Sequence, residues 1–247
     1  MIKEKGINLV NLAITALFTA LVCIATVIFS IYVPATSGFF NLGESMVFLS
    51  AILFGPFVGA FAGGVGSALA DLLLGYPHYA GATLLIKACE GAVVGTLMRK
   101  NPELTSRRYW RTITLVLGVV TGSLLGWVGT VYYSGELELT LGSSLFVFNV
   151  PTEFWLFLGI LTAACIILLG FFADPKFGWT VFSVVAGGFT MVFGYFLYQR
   201  FLIYPLFSIE AIAVLEIPFN IGQMIIGAAI ALPISKVVSR SLPYLKS

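Results

Sequence analysis

The side chains with chemistry to offer fall in two short clusters, each with helical spacing. Lys87 and Glu90 are i and i+3, close enough on one helix face to pair. Glu216, Asn220 and Gln223 are i, i+4 and i+7, a second single face. Asp71 ends the small-residue series Gly55, Gly59, Gly63 and Ser67, and Glu44 follows Asn41-Leu42-Gly43. One cation, several carboxylates and two amides suit hydrogen-bonded capture of a small polar solute. They do not suit catalysis. The chain has no Gly-x-Ser-x-Gly with a partner histidine, no HExxH and no pair of metal carboxylates, and His78 is its single imidazole. Cys23, Cys89 and Cys165 lie in apolar runs without a CxxC, which supports neither a disulfide framework nor a zinc site. No Walker A sequence is present, so no ATP chemistry is expected in this chain.

These polar residues are embedded in very apolar sequence. Of 247 residues, 59% are hydrophobic and 10% charged, with a mean hydropathy of +1.02; soluble domains carry about 25% charged residues. A water-soluble fold with this composition would have a greasy exterior, whereas a bilayer solvates it. The net charge of +2 gives no case for nucleic acid.

A helix needs about 20 apolar residues to cross the hydrocarbon core. Eight candidate spans are predicted, at about 8–32, 43–55, 57–75, 81–98, 111–133, 151–173, 178–203 and 209–236. The first apolar run is too long for a signal-peptide core, and no small-residue cleavage site follows it. Gly55-Pro56 predicts a tight turn between the second and third spans. The alternative, one kinked helix over 44–75, would reach about 48 Å. With the N-terminus inside, 11 of the 13 basic residues fall in inner segments, Arg200 falls outside and Lys87 lies within a span. This asymmetry predicts a multi-pass cell-membrane protein with both termini cytoplasmic. Connections are short, so residues 1–247 read as one transmembrane domain, and the outer stretch Tyr132–Asn149 reads as a hairpin or loop.

Charges at mid-membrane depth need a reason. From the outer surface, Glu44 opens span 2, Asp71 lies near the outer end of span 3, and Lys87 and Glu90 lie about 9 and 14 Å down span 4. Glu153 opens span 6, and Glu210 and Glu216 occupy the outer part of span 8. Pro218 is expected to break that span and free a carbonyl near Val214. The inner halves hold no ionisable side chain, which predicts a polar cavity open to the outside. Phe39, Phe40, Trp155, Tyr195 and Tyr198 share this outer level, where aromatic belts also anchor membrane proteins. The turn Tyr76-Pro77-His78-Tyr79 is the best candidate for a lid that stacks on a flat ligand. Structural roles stand beside these: Asp71 and Lys87 pairing for neutrality, Asn220 and Gln223 tying helices together. The glycine stripe of span 3, with Gly91 and Gly95 in span 4, reads as internal packing. Ala13, Ala16 and Ala20 make a smooth face on span 1 that suits either the bundle interior or an outside partner.

The run Asn41-Leu42-Gly43-Glu44, Phe54-Gly55-Pro56, Gly63 through Pro77, and Thr83 through Gly91 resembles the substrate-binding S component of energy-coupling factor (ECF) vitamin transporters. It is most similar to the riboflavin-type branch, and Gly194-Tyr195-Phe196 with Ile217 through Gln223 fits the same branch. The resemblance covers about 7–100 and 178–238. It implies an all-α polytopic bundle with a six-helix core, to which about 101–177 would add an inserted membrane hairpin. It also implies capture of a vitamin, for which depth and spacing make Glu44, Asp71, Tyr76, His78, Tyr79, Lys87, Glu90, Glu216, Asn220 and Gln223 the candidate contacts. The implied partners are a membrane T component, docked through Ala13, Ala16 and Ala20, and two cytoplasmic ATPases that use the ATP. No cofactor is implied for this chain. The alternative from another class is a self-sufficient proton-coupled transporter, with Asp71, Glu90 or Glu216 as relay.

Overall fold

The computed structural model describes residues 9–33, 38–100, 107–141, 144–172, 175–209 and 212–241. The chain runs α1 (Leu9–Ile28), a short hairpin β1 (Ile31–Val33) and β2 (Gly38–Phe40), α2 (Glu44–Phe54), α3 (Pro56–Leu74) and α4 (Pro77–Lys100). It continues with α5 (Arg107–Tyr132), a hairpin β3 (Gly135–Leu141) and β4 (Ser144–Val150), α6 (Thr152–Phe172) and α7 (Pro175–Tyr198). A π-helical turn (Gln199–Ile203) then leads to α8 (Tyr204–Phe207), and a 3₁₀ turn (Ala213–Leu215) precedes α9 (Glu216–Ser241). The antiparallel β3–β4 pair, in register from Gly135↔Val150 to Leu141↔Ser144, makes the stretch after Tyr132 a hairpin, one of the two forms expected for it.

The molecule is a helical membrane bundle. Six helices among the described residues are long and apolar enough to cross a bilayer: α1, α3, α4, α5, α7 with its extension, and α9. Its outer surface is apolar, with Leu73 72%, Phe57 71% and Ile160 70% exposed. Two of the eight expected spans are shorter apolar helices, α2 and the Thr152–Leu168 part of α6. The 11 residues of α2 rise only about 16 Å, roughly half the hydrocarbon thickness. This helix is central, packed by α1, α3, α4 and α9, and Val47, Phe48 and Ala51 are fully buried.

Local chemistry explains the breaks. Gly55 takes φ +84° between α2 and α3, and Pro56 occupies the first turn of α3, where its missing N–H costs nothing. At the other end of α3, Gly75 adopts the left-handed conformation. The Tyr76 N–H bonds the Asp71 carbonyl (2.8 Å) and the Gly75 N–H the Leu72 carbonyl (3.3 Å), a Schellman cap. Pro218 does not break a span as expected. It lies in the first turn of α9, directly after the 3₁₀ turn Ala213–Leu215, where its missing N–H costs no bond of the α-helical ladder.

The glycine stripe packs internally. A Cβ on Gly91 would strike the Gly59 carbonyl, and one on Gly63 would sit 2.9 Å from the Lys87 carbonyl oxygen. α3 and α4 therefore touch through backbone. α5 and α6 pair with each other in the same way at Gly122 and Gly159, and α5 also leans on α7 and α9. Arg99 reaches the Gly55 turn, so the C-terminus of α4 shares one end of the bundle with Arg107, Arg108, Arg111, Lys236 and Arg240. The two hairpins occupy the opposite end.

Candidate ligand-binding site

At the hairpin end, five helices converge on a narrow, nearly closed cavity of about 30 Å³, well below the ~300–1,000 Å³ of small-molecule sites, so a ligand larger than a few waters requires the surrounding helices or hairpin to open. α1 contributes Thr26, the β1–β2 hairpin and its exit give Gly38, Phe39 and Asn41, and α3 gives Ser67 and Asp71. α4 gives Tyr79, Thr83 and Lys87, α7 gives Tyr195, and α9 gives Glu216, Asn220 and Gln223. Glu44, Asp71, Lys87, Glu90 and Glu216, the buried charged side chains among the described residues, all lie in or behind this wall.

Lys87 is held from behind. Its ammonium pairs with Glu44 and, at 3.1 Å, with Glu90. The expected Lys87–Glu90 pair is therefore present, whereas Asp71 is not its partner. Glu44 was placed by sequence at the outer mouth of a span. Because α2 is a half-length helix that starts deep in the bundle, its first residue is 1% exposed. Gly227 of α9 makes the room: a Cβ there would lie 2.8 Å from the Glu44 side chain. One ammonium between two carboxylates leaves one acidic charge in excess when both are ionised. Glu44 Oε1 and Glu90 Oε1 have no hydrogen-bond partner.

The two amides differ in role. Gln223 accepts the Asn41 backbone N–H at 2.9 Å and donates to Asn220 Oδ1 at 3.0 Å. Asn41 Oδ1 in turn accepts the Gly43 N–H at 2.9 Å, an Asx-type turn that leads the chain into α2. Gln223 thus fastens the hairpin exit to α9, and Asn220 is left with a free donor. Across the cavity, the Tyr195 hydroxyl donates to Thr83 (3.0 Å), whose hydroxyl bonds Asp71. Three wall atoms remain buried without partners: Asp71 Oδ2, Glu216 Oε2 and Asn220 Nδ2. Unpaired buried polar groups are rare and costly, so three in one cavity mark it as a place built for a hydrogen-bonding ligand.

The aromatic turn is organised differently from a lid. Pro77 starts α4, so His78 and Tyr79 belong to its first turn. Tyr79 lines the cavity, and its hydroxyl accepts from Gln199 at 2.6 Å. Tyr76 packs on Phe39, with ring centroids 4.9 Å apart. His78 contacts Tyr79 and Phe207, and its carbonyl accepts from the Tyr198 hydroxyl. Neither Tyr76 nor His78 is in the cavity wall. Glu153 is exposed on α6, and Glu210 lies outside the described residues. Thr26, Ser67, Thr83 and Asn41 were not anticipated. Hydroxyls in apolar helices carry little signal, because they commonly bond their own backbone, as Thr26 does with the Val22 carbonyl (2.8 Å). The Asn-x-Gly spacing of Asn41 and Gly43 was a readable signal for the turn.

On α1, the buried face is Thr15, Phe18, Val22 and Thr26. Ala13, Ala16 and Ala20 are exposed on another face, so of the two uses open to them, bundle packing is excluded.

The family model for the ECF-type riboflavin transporter S component matches residues 6–170. The chain belongs to this family. A Pyrococcus woesei protein, described as an uncharacterised protein in the gap 3′ region, is 44% identical over 114 residues, 45% of this chain and 71% of the relative. The family is one of transporter components and not of enzymes. For this S component, the matched stretch runs from α1 through most of α6. It includes the Glu44–Lys87–Glu90 cluster and Asp71, while Tyr195, Glu216, Asn220 and Gln223 enter the cavity from residues beyond it.

Proposed function

We propose that this chain is the capture subunit of an ECF-type importer and that its cavity takes up a flavin-type B vitamin from outside the cell. The observation that carries this reading is the cavity itself: three unpaired, buried polar atoms and an aromatic wall at one end of a membrane bundle of this family. Riboflavin combines a flat ring bearing carbonyls with a hydroxylated chain. Phe39, Tyr79 and Tyr195 suit the ring, and Asp71, Glu216 and Asn220 suit its polar edge and hydroxyls. Glu44 and Glu90 act through Lys87, and Gln223 acts through Asn220.

The opposite end of the bundle is rich in lysine and arginine. By the positive-inside preference, that end faces the cytoplasm with both termini, and the cavity faces outward. ATP is used by partners: a membrane T component and two cytoplasmic ATPases reorient the subunit and release the vitamin inside. The exposed Ala13, Ala16 and Ala20 face of α1 is the docking surface, since small side chains permit close helix approach.

The test is mass spectrometry of ligand extracted from the purified protein, with riboflavin titration of the stripped protein. Co-purifying flavin and saturable binding are the expected result. No vitamin in the extract, and no shift of melting temperature with any vitamin of a panel, would sink the capture reading. Uptake by the chain alone in proteoliposomes under a proton gradient would favour a secondary transporter instead.

A further inference from the structure

We infer that the α5–α6 pair is a positioning element for the cavity: Trp155 fixes Tyr133, and Tyr133 holds the turn from which Glu216 enters the wall. Neither aromatic residue is in the cavity wall, so both act through Glu216. This rests on the capture reading above and gives α5 and α6 a part in it.

The first observation is how little the start of α9 gains from the chain before it. Residues 208, 209 and 212, between α8 and the 3₁₀ turn Ala213–Leu215, are not helical, so no helix runs directly into that turn. Glu216 is nonetheless 8% exposed, with Oε2 unpaired. A binding group keeps its place only where packing and hydrogen bonds around it hold it.

The second observation is the support that arrives from the side. Tyr133 directly follows α5 and is 2% exposed. Its hydroxyl donates to the carbonyl of Leu215, the residue before Glu216. Its ring meets Phe219, in the first turn of α9, edge to face with centroids 5.3 Å apart, a favoured aromatic geometry. Val128, Tyr133 and Leu215 are the buried centre of a small apolar cluster distinct from the main core.

The third observation is that Tyr133 is itself held within the pair. Its N–H bonds the Gly129 carbonyl at 3.0 Å, and its own carbonyl accepts from Trp155 Nε1 at 2.8 Å. The Trp155 ring fills the notch at Gly129, where a Cβ would strike it. The pair has a separate anchor at the opposite end of the bundle: Trp110, 1% exposed, covers Gly178 of α7. Loss of the Trp155–Tyr133 joint therefore leaves α5 attached to the bundle.

The experiment uses the intact, ligand-stripped protein. Trp155→Phe keeps an aromatic ring and removes the N–H, and Tyr133→Phe removes the hydroxyl. Without any ligand, hydrogen exchange in a peptide covering 212–220 should speed up by about fivefold in either variant, with peptides of α3 and α4 unchanged. Riboflavin affinity should fall by about fivefold in either variant. In a Glu216→Gln background the same substitutions should change affinity by less than about twofold, whereas combined with Asp71→Asn on α3 the losses should add. Unchanged exchange at 212–220 in a folded variant overturns the brace. So does an affinity loss as large in the Glu216→Gln background as in the wild-type one, which would mark a general structural effect. If riboflavin does not bind the wild-type protein, the capture reading fails and the exchange result alone decides the brace. If neither variant folds, wild-type exchange decides it: a 212–220 peptide that exchanges as freely as an unfolded chain overturns the brace, and a protected one supports it.

Discussion

Replacing Lys87 with methionine would leave Glu44 and Glu90, both side chains 0% exposed, facing each other with no cation between them. The Lys87–Glu90 attraction alone, at 3.1 Å and an effective dielectric near 20, is roughly 5 kcal/mol. The desolvation that the triad already suffers offsets much of this in the native protein. Removing one partner of a buried ion pair nevertheless costs about 3–5 kcal/mol, because the remaining charge stays buried. Lys87→Met should therefore lower the unfolding free energy by about 3–5 kcal/mol in an SDS titration of mixed micelles. The deficit should shrink as pH falls, since protonation of either carboxylate removes the uncompensated charge. The triple variant Lys87→Met, Glu44→Gln, Glu90→Gln should recover most of the loss, because two amides can hydrogen-bond each other without a counter-ion. A single variant less than about 1 kcal/mol below wild type, within the range of an exposed ion pair, would refute the assignment of a buried triad. So would a triple variant as unstable as the single one.

Gly91→Val would drive a side chain into the Gly59 carbonyl, an overpacking cost of about 1–3 kcal/mol or more; size-exclusion profiles should show loss of the monodisperse species, and an unchanged profile would contradict backbone contact between α3 and α4. Tyr133→Phe removes a hydroxyl that donates to the Leu215 carbonyl just before Glu216, so riboflavin affinity should fall about fivefold, the equivalent of ~1 kcal/mol, and unaltered affinity would mean that α5 does not brace the start of α9. Ala16→Leu combined with Ala20→Leu should spare vitamin binding and abolish uptake in cells that supply the T component and ATPases. Loss of binding in that double variant would place the alanine face inside the functional core.

Much of the fold is legible from residue types. The Gly55-Pro56 break, the hairpin after Tyr132, the stripe that seats Gly59 and Gly91, and the Lys87–Glu90 pair all follow from local rules with short-range causes. The misreadings have one physical source. Hydropathy measures apolar length and not depth, so a helix of 11 residues was read as a span and Glu44 was assigned to its outer mouth. Pro218 was read as a break because its place in the first turn of α9 depends on where that helix begins. The Tyr-Pro-His-Tyr turn looked like a lid until Pro77 took up the first turn of α4.

Composition and charge placement by themselves determine that this chain dissolves in a bilayer, that its ionisable groups gather towards one end, and that a positive end opposes them. Those properties are additive along the sequence, so no contact between distant residues is needed to read them. Tertiary structure alone decides which polar groups meet. Glu44 reaches Lys87 across 43 residues, Gln223 reaches Asn41 across 182, and Tyr195 reaches Thr83 across 112. Close packing at glycines on α3, α4 and α9 makes these meetings possible, and it is this packing that leaves Asp71, Glu216 and Asn220 as the unsatisfied atoms of the cavity.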